Sequence, residues 1–116
     1  MPVSTIEVSI ETFQTLVIEQ SHKQLVILDI SADWCGPCKI LEPILNQVAA
    51  EYDVAEFSLT KLEAEDENMK IAGRYSVRGF PTVIAFINGE EVDRFHSAQT
   101  HDFVEAFIDS NLAKFS

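Results

Sequence analysis

The two cysteines of the sequence, Cys35 and Cys38, lie close enough together to react as a pair. Residues 34–39 read Trp-Cys-Gly-Pro-Cys-Lys. Two thiols at this spacing can form a disulfide and open it again by thiol–disulfide exchange, or they can contribute ligands to a metal site. Zinc requires four ligands, and none of the three histidines stands at a ligand-like spacing to a cysteine or to another histidine. We therefore expect a redox-active dithiol and no metal.

An apolar segment precedes the cysteines and a helical pattern follows them. Residues 25–30 are long enough for one buried strand, and the spacing of the apolar residues at 40, 41, 44, 45 and 48 predicts a helix. Cys35 then falls at the helix N-cap, where unpaired N–H groups and the positive end of the helix dipole stabilise a thiolate. We expect an exposed Cys35 that attacks disulfides and a more buried Cys38 that resolves the mixed disulfide.

The charge and the hydropathy of the sequence argue against a nucleic-acid binder and against a membrane protein. The chain of 116 residues carries 19 acidic residues against 8 Lys and Arg, for a net charge of −11. Nucleic-acid binding in general needs basic clusters to contact phosphates, so we expect no nucleic-acid partner. No segment approaches the roughly 18 apolar residues of a membrane span, and the first residues lack the basic and apolar regions of a secretory leader. We expect one domain over residues 1–116, in the cytoplasm and not at a membrane.

The remaining pattern predicts alternating strands and helices without an internal repeat. Strands are predicted at residues 3–8, 24–31, 57–64, 82–87 and 91–95, and helices at residues 9–21, 36–52, 68–75 and from 100 onward. Ser9 and Thr100 are the expected N-caps, and Asn88-Gly89 is a two-residue hairpin signal. Met69 is expected on the buried face of the third helix.

The motif at residues 34–39, placed between a strand and a helix in this order of elements, resembles the active site of the thioredoxin family. The resemblance covers roughly residues 5–113 and implies an α/β fold with a central mixed sheet of about five strands flanked by about four helices. It also implies reduction of protein disulfides by Cys35 and Cys38. No cofactor is expected on this chain, which has no Gly-rich phosphate loop. By resemblance, the oxidised form is recharged by a separate flavin-containing, NADPH-dependent thioredoxin reductase.

Asp29 is a carboxylate inside the apolar run, six residues before Cys35. A buried ionised acid is costly unless it is paired or protonated. By resemblance, Asp29 takes and returns the proton of Cys38, through water, and belongs to the catalytic set with Lys61. The alternative is a structural carboxylate that forms an ion pair with Lys61 on the neighbouring strand, and the two interpretations are compatible.

The resemblance also implies a surface that binds substrates around the cysteines. In the family, a proline at the position of Pro81 is cis and lies against the CxxC turn. Phe80 before it is expected to offer backbone groups to an extended segment of the substrate. Trp34 belongs either to the core or, as the resemblance favours, to this surface. The substrate-binding set is Trp34, Gly36, Pro37, Gly79, Phe80, Pro81, His96, Ser97 and Ala98, with Ala64 in the same apolar patch.

Three residues depart from the family pattern. Ser31 stands where a second tryptophan is common, which is expected to change packing more than the reaction. Ser97 stands where glycine is usual, so the approach of a substrate backbone is affected there. His96 lies at the rim of the expected groove, where it either helps to hold Cys35 as a thiolate or is simply a solvent-facing loop residue.

Two other functions compete with the reductase. The altered loop at Ser97 leaves room for a chaperone-like binder or interaction module with secondary redox activity. An oxidant or isomerase is disfavoured because Gly-Pro between the cysteines resembles the reducing members of the family. We expect a monomer whose partners are disulfide-containing proteins and a thioredoxin reductase.

Overall fold

The computed structural model describes residues 1–115, and its centre is one five-stranded mixed sheet. The strands are β1 (Thr5–Val8), β2 (Leu25–Ser31), β3 (Phe57–Glu63), β4 (Thr82–Ile87) and β5 (Glu90–His96). Their order is β1-β3-β2-β4-β5, in which β1, β3 and β2 are parallel and β4 and β5 join antiparallel. The predicted edge position of β1 and the buried central position of β2 are confirmed. Ser116, the last residue of the predicted domain, lies outside the described residues.

Four helical segments flank the sheet, as predicted. The regular helices are α1 (Gly36–Ala49), α2 (Met69–Arg74) and α3 (His101–Leu112). The segment before β2 is instead π-helical over Gln14–Glu19 and 3₁₀ over Gln20–His22, and a 3₁₀ turn at Asp66–Asn68 leads into α2.

Two helix predictions were wrong in detail. Ser9 does not cap the first helical segment with its hydroxyl; its backbone N–H donates to Thr12 Oγ1 instead, and its carbonyl accepts from the N–H of Phe13. Met69, predicted to point inward, is 45% exposed, because α2 is short and its buried face is formed by Ile71 and Ala72.

The sheet is covered on both faces, and the residues of β2 alternate between two cores. Ile27 packs with apolar residues of α1 and α3. Leu28 and Ile30 pack on the other face with the first helical segment and α2. Asp29 follows this alternation onto the face of Ile27, where it lies among residues of α1 and β3, including Leu45. A single charged residue in an apolar strand is therefore placed under the helix that carries the cysteines.

The predicted hairpin turn at Asn88-Gly89 and the predicted helix cap at Thr100 were confirmed. Asn88 and Gly89 have φ of 53° and 82°, the backbone of a two-residue hairpin turn, and they join β4 to β5. The Thr100 side chain caps α3 by accepting the N–H of Phe103 at 3.2 Å.

The sheet brings the ends of three elements to one edge. Ile30 pairs with Thr82, and Thr82 pairs with His96, so the end of β2, the start of β4 and the end of β5 are neighbours. The start of α1 follows β2 at the same edge. Within residues 1–115 no helix is both long and apolar enough to cross a membrane, and no cluster of three or more potential ligands forms a metal site.

Candidate active site

Cys35 is the N-cap of α1, and the structure shows it joined to Cys38 in a disulfide. Gly36 and Pro37 are the first helical residues, where the missing proline N–H leaves no bond unmade. The backbone N–H of Cys38 donates to Cys35 Sγ at 3.2 Å. The same N–H and the positive end of the helix dipole would stabilise a thiolate on Cys35 after reduction. The predicted N-cap geometry is confirmed.

The predicted difference in exposure between the cysteines was wrong. Cys35 is 4% exposed and Cys38 is 6% exposed, and both pack against Ala32 and Phe80. Cys35 is covered because Phe80, which is distant in sequence, packs against it. The two sulfurs differ in their surroundings instead. Cys35 Sγ lies 3.5 Å from the carbonyl oxygen of Phe80, whereas Cys38 lines a cavity with Lys61.

The Phe80–Pro81 peptide bond is cis, as predicted. Among residues 1–115, the backbone N–H of Phe80 has no hydrogen-bond partner, and its carbonyl has only the contact with Cys35. The neighbouring carbonyls are used, since Gly79 accepts from the Thr82 hydroxyl and Pro81 accepts from the N–H of Ser97. The backbone of Phe80 is therefore available to a bound polypeptide.

An open groove of about 350 Å³ begins at this peptide bond. It is lined by Arg78, Gly79, Phe80, Pro81, His96 and Ser97. Trp34 stands beside it, 75% exposed, with its ring edge-on to Phe80 at 5.8 Å between centroids. Trp34 is thus surface rather than core.

The remaining members of the predicted substrate-binding set lie in different surroundings. Gly36 and Pro37 are exposed beside the disulfide. Ala98 is half-buried against the core under α1 and α3, and Ala64 is buried on the opposite face of the sheet. Neither alanine lines the groove. Ala64 was therefore wrongly placed in the surface patch, because its side chain turns into the core at the end of β3.

His96 ends β5 and has a defined orientation. Its Nδ1 lies 3.1 Å from Thr82 Oγ1, and that hydroxyl donates its only hydrogen to the Gly79 carbonyl at 2.7 Å. With the Thr82 hydroxyl donating to Gly79, Nδ1–H is the donor to Thr82 Oγ1, and Nε2 has no hydrogen-bond partner among residues 1–115. Ser97 beside it has a φ of 69°, a left-handed backbone conformation that explains why glycine suits this position.

Asp29 is 4% exposed, and its Oδ1 has no hydrogen-bond partner among residues 1–115. Burial raises the pKa of this carboxyl to about 7, an effect that nearby Lys61 reduces and that Glu42, Glu63 and Glu7 increase. An unpaired buried carboxyl whose pKa lies near neutrality can accept and return a proton.

The ion pair between Asp29 and Lys61, which was the alternative interpretation of Asp29, is absent from the described residues. The two residues are in register on β2 and β3, but the Lys61 ammonium bonds Glu42 and, at 3.1 Å, Glu63. Burial works against the charged ammonium, but these hydrogen bonds prevail and raise the pKa of Lys61. The reason lies in the tertiary structure, because α1 brings Glu42 over β3. Two half-buried carboxylates, those of Glu42 and Glu63, hold the Lys61 ammonium more favourably than the one desolvated carboxyl of Asp29.

Two cavities share the Glu42–Lys61 pair as a wall. One, of about 10 Å³, lies against Asp29 and is about as large as a single water requires. The other, of about 250 Å³, opens beside Cys38 and Ser31.

Ser31, Glu42, Glu63 and Arg78 were missed by the sequence reasoning as site residues. The Ser31 hydroxyl is buried without a partner among residues 1–115, and Ser31 lines the cavity beside Cys38. The acidic or basic character of the other three was visible in the sequence, but their contacts depend on the tertiary fold.

Comparison with known proteins agrees with this geometry. The family model for thioredoxin matches residues 4–110. The thioredoxin of Acidithiobacillus ferridurans is 37% identical over 109 residues, covering 90% of this chain and 94% of that protein. Spinach chloroplast thioredoxin f superposes with a TM-score of 0.81 at 27% identity, over 95% of both chains. The thioredoxin of Malassezia sympodialis gives 0.80 at 26% identity, over 97% of this chain and 95% of that one. The chain belongs to the thioredoxin family and is a thiol–disulfide oxidoreductase.

Proposed function

We propose that the protein reduces disulfides of other proteins, with Cys35 as the attacking residue and Cys38 as the resolving one. In the reduced form, the Cys35 thiolate forms a bond to one substrate sulfur while the substrate S–S bond breaks, and the leaving thiolate takes a proton from solvent. One observation carries this assignment: Cys35 Sγ, although only 4% of Cys35 is exposed, lies 3.5 Å from the carbonyl oxygen of Phe80, and Phe80 lines the open groove.

Cys38 completes the reaction after losing its proton. In this proposal, the Asp29 carboxylate accepts the proton that Cys38 loses. Water in the two cavities carries the proton between them, and the Glu42–Lys61 pair forms a wall of both cavities. Lys61 supplies positive charge beside this route. The Cys38 thiolate then attacks Cys35 Sγ, forms the internal disulfide and releases the second substrate thiolate, which is protonated in turn. The substrate gains two electrons and two protons, and the dithiol loses them.

Substrate binding is assigned to the groove and to the surface beside it. The Phe80 backbone can pair with an extended segment, in the manner of an added strand. Trp34, Gly36 and Pro37 offer apolar surface around the disulfide, Gly79, Pro81, His96 and Ser97 form the walls of the groove, and Ala98 supports the loop behind it.

Trapping of substrates tests the two cysteine roles. A Cys38→Ser variant should accumulate a mixed disulfide with an oxidised protein substrate, because the resolving step is lost. A Cys35→Ser variant should neither trap the substrate nor reduce it. Turnover of a protein disulfide by wild type with NADPH and a thioredoxin reductase completes the assay. Equal rates for wild type and Cys35→Ser would exclude the reductase and favour a chaperone-like binder.

The partners follow from the same chemistry. We propose that a flavin-containing, NADPH-dependent thioredoxin reductase returns electrons to the Cys35–Cys38 disulfide, and that no further cofactor is bound. We also propose a monomeric single domain over residues 1–116 that works in the cytoplasm. The compartment is supported by the use of both cysteines in the redox motif, which leaves none for structural bridges.

A further inference from the structure

The groove beside the disulfide differs in charge from the rest of the protein. The chain has a net charge of −11, yet none of the six groove residues is acidic, and one of them is Arg78. The cavity on the other side of the disulfide has charges of both signs in its wall, the acids Asp33, Glu42 and Glu63 and the lysines Lys39 and Lys61. The groove on the substrate side of Cys35 thus has a positive charge without an acidic neighbour in its lining, whereas the charges on the Cys38 side largely offset one another.

Arg78 is free to bind a ligand. It is exposed, and it forms no ion pair or side-chain hydrogen bond with any residue between 1 and 115. Arg94, by contrast, is held by Glu91 and by the Tyr75 carbonyl. A guanidinium keeps its charge at all physiological pH values, and its fork of N–H groups matches a carboxylate.

His96 supplies a second polar group to the same groove. Because its Nδ1–H donates to Thr82, its Nε2 is left for a ligand. Nε2 accepts an N–H from a bound chain when the ring is neutral and donates to a carboxylate when the ring is protonated.

From this arrangement we propose that the groove selects disulfide substrates that carry an acidic residue next to the reacting cysteine. The substrate segment runs along Phe80 and Pro81, and its carboxylate is bound by Arg78 with His96 beside it. This inference rests on the proposed function and adds the substrate class to it. The acidic surface elsewhere would repel such substrates at long range, but at physiological ionic strength that repulsion is screened beyond about 8 Å.

Three peptides with the same disulfide and with Glu, Gln or Lys beside one cysteine test the proposal. Reduced wild-type protein is mixed with each peptide at about 0.15 M salt, which is close to physiological ionic strength. The second-order rate constant is obtained from the change in Trp34 fluorescence. We expect the Glu peptide to react about threefold to fivefold faster than the Gln peptide, because a partly exposed ion pair contributes a free energy of this size. The Lys peptide should react slowest.

Variants then test whether Arg78 causes the preference for the Glu peptide. In Arg78→Gln the ratio of the Glu to the Gln rate constant should fall to about one, and Arg78→Lys should give an intermediate ratio because it keeps the charge without the fork. Lys23→Gln makes the same change of charge at the opposite end of β2 and should keep the wild-type ratio. Equal rates for the Glu and Gln peptides in wild type, or an unchanged ratio in Arg78→Gln, would overturn the proposal while leaving the reductase intact. Failure of all three peptides to react would instead contradict the reductase function itself.

Discussion

Asp29 and Lys61 lie opposite each other on the paired strands β2 and β3, yet the Lys61 ammonium is bonded to Glu42 and Glu63 and not to Asp29. The buried carboxyl therefore has no direct counter-ion among residues 1–115, and its pKa rises to about 7 because burial disfavours the charged form. The Asp29 carboxyl can therefore act as a proton acceptor near neutral pH.

The stability of the protein should fall as pH rises through the range between the two pKa values of Asp29. The folded pKa of about 7 exceeds the ordinary value of 3.8, so between them the unfolded chain has lost this proton and the folded chain still holds it. Unfolding thus releases a proton, which lowers the free energy of unfolding until the pH exceeds about 7. Asp29→Asn should be more stable than wild type at pH 8, by up to about 4 kcal/mol, and nearly equal to it at pH 4. Urea unfolding of both proteins at pH 4 and pH 8 measures this difference, and equal stabilities of wild type and Asp29→Asn at pH 8 would contradict the prediction.

Glu42→Gln should lower the pKa of Asp29. The substitution removes one negative charge from the surroundings of Asp29 and frees Lys61 from one of its two partners, and both effects favour the ionised carboxyl. Titration of the Asp29 carboxyl by NMR measures the pKa directly. Glu67→Gln, which removes an exposed acid paired with Lys70, serves as the control. An Asp29 pKa that stays near 7 in Glu42→Gln would show that the Glu42–Lys61 pair does not control it.

Ser97→Gly should stabilise the protein. Ser97 has a φ of 69°, where a side chain costs about 1–2 kcal/mol, and glycine removes that cost while adding a smaller loss of backbone entropy. We expect a gain of about 1 kcal/mol in denaturant unfolding. The matched control is Ser110→Gly in α3, where glycine should be destabilising. A loss of stability in Ser97→Gly would mean that the Ser97 side chain makes a compensating contact.

Trp34→Ala should separate binding from stability. The ring is 75% exposed and packs edge-on against Phe80, so its loss should change the free energy of unfolding by about 1 kcal/mol or less. The reduction of a protein disulfide should slow by roughly threefold to tenfold, because an aromatic contact of this kind contributes about 0.5–1.5 kcal/mol. Val54→Ala, also exposed but in the loop between α1 and β3, should leave the rate unchanged. A large loss of stability in Trp34→Ala would place Trp34 in the core after all.

The sequence predicted what depends on local pattern. The apolar run of β2, the N-cap at Cys35 and the turn at Asn88-Gly89 each depend on a few adjacent residues, and all three were confirmed. The cis bond at Pro81 followed from the family resemblance and not from the pattern.

What the sequence could not predict depends on contacts between distant segments. The burial of Cys35 is caused by Phe80, which comes 45 residues later in the chain. The partner of Lys61 is decided by the packing of α1 over β3, which brings Glu42 within reach. Within residues 1–115, His96 Nε2 has no partner because the Thr82 hydroxyl donates to the Gly79 carbonyl and therefore accepts from His96 Nδ1. None of these three can be derived from spacing alone.

The two sulfurs border different spaces: Cys35 touches the carbonyl at the head of the groove, and Cys38 lines the cavity with Lys61. A polypeptide held against Phe80 would consequently leave the other side of the disulfide uncovered. In the mechanism that we propose, substrates and protons therefore reach the disulfide from different sides, and a large bound partner does not have to leave before Cys38 can lose its proton.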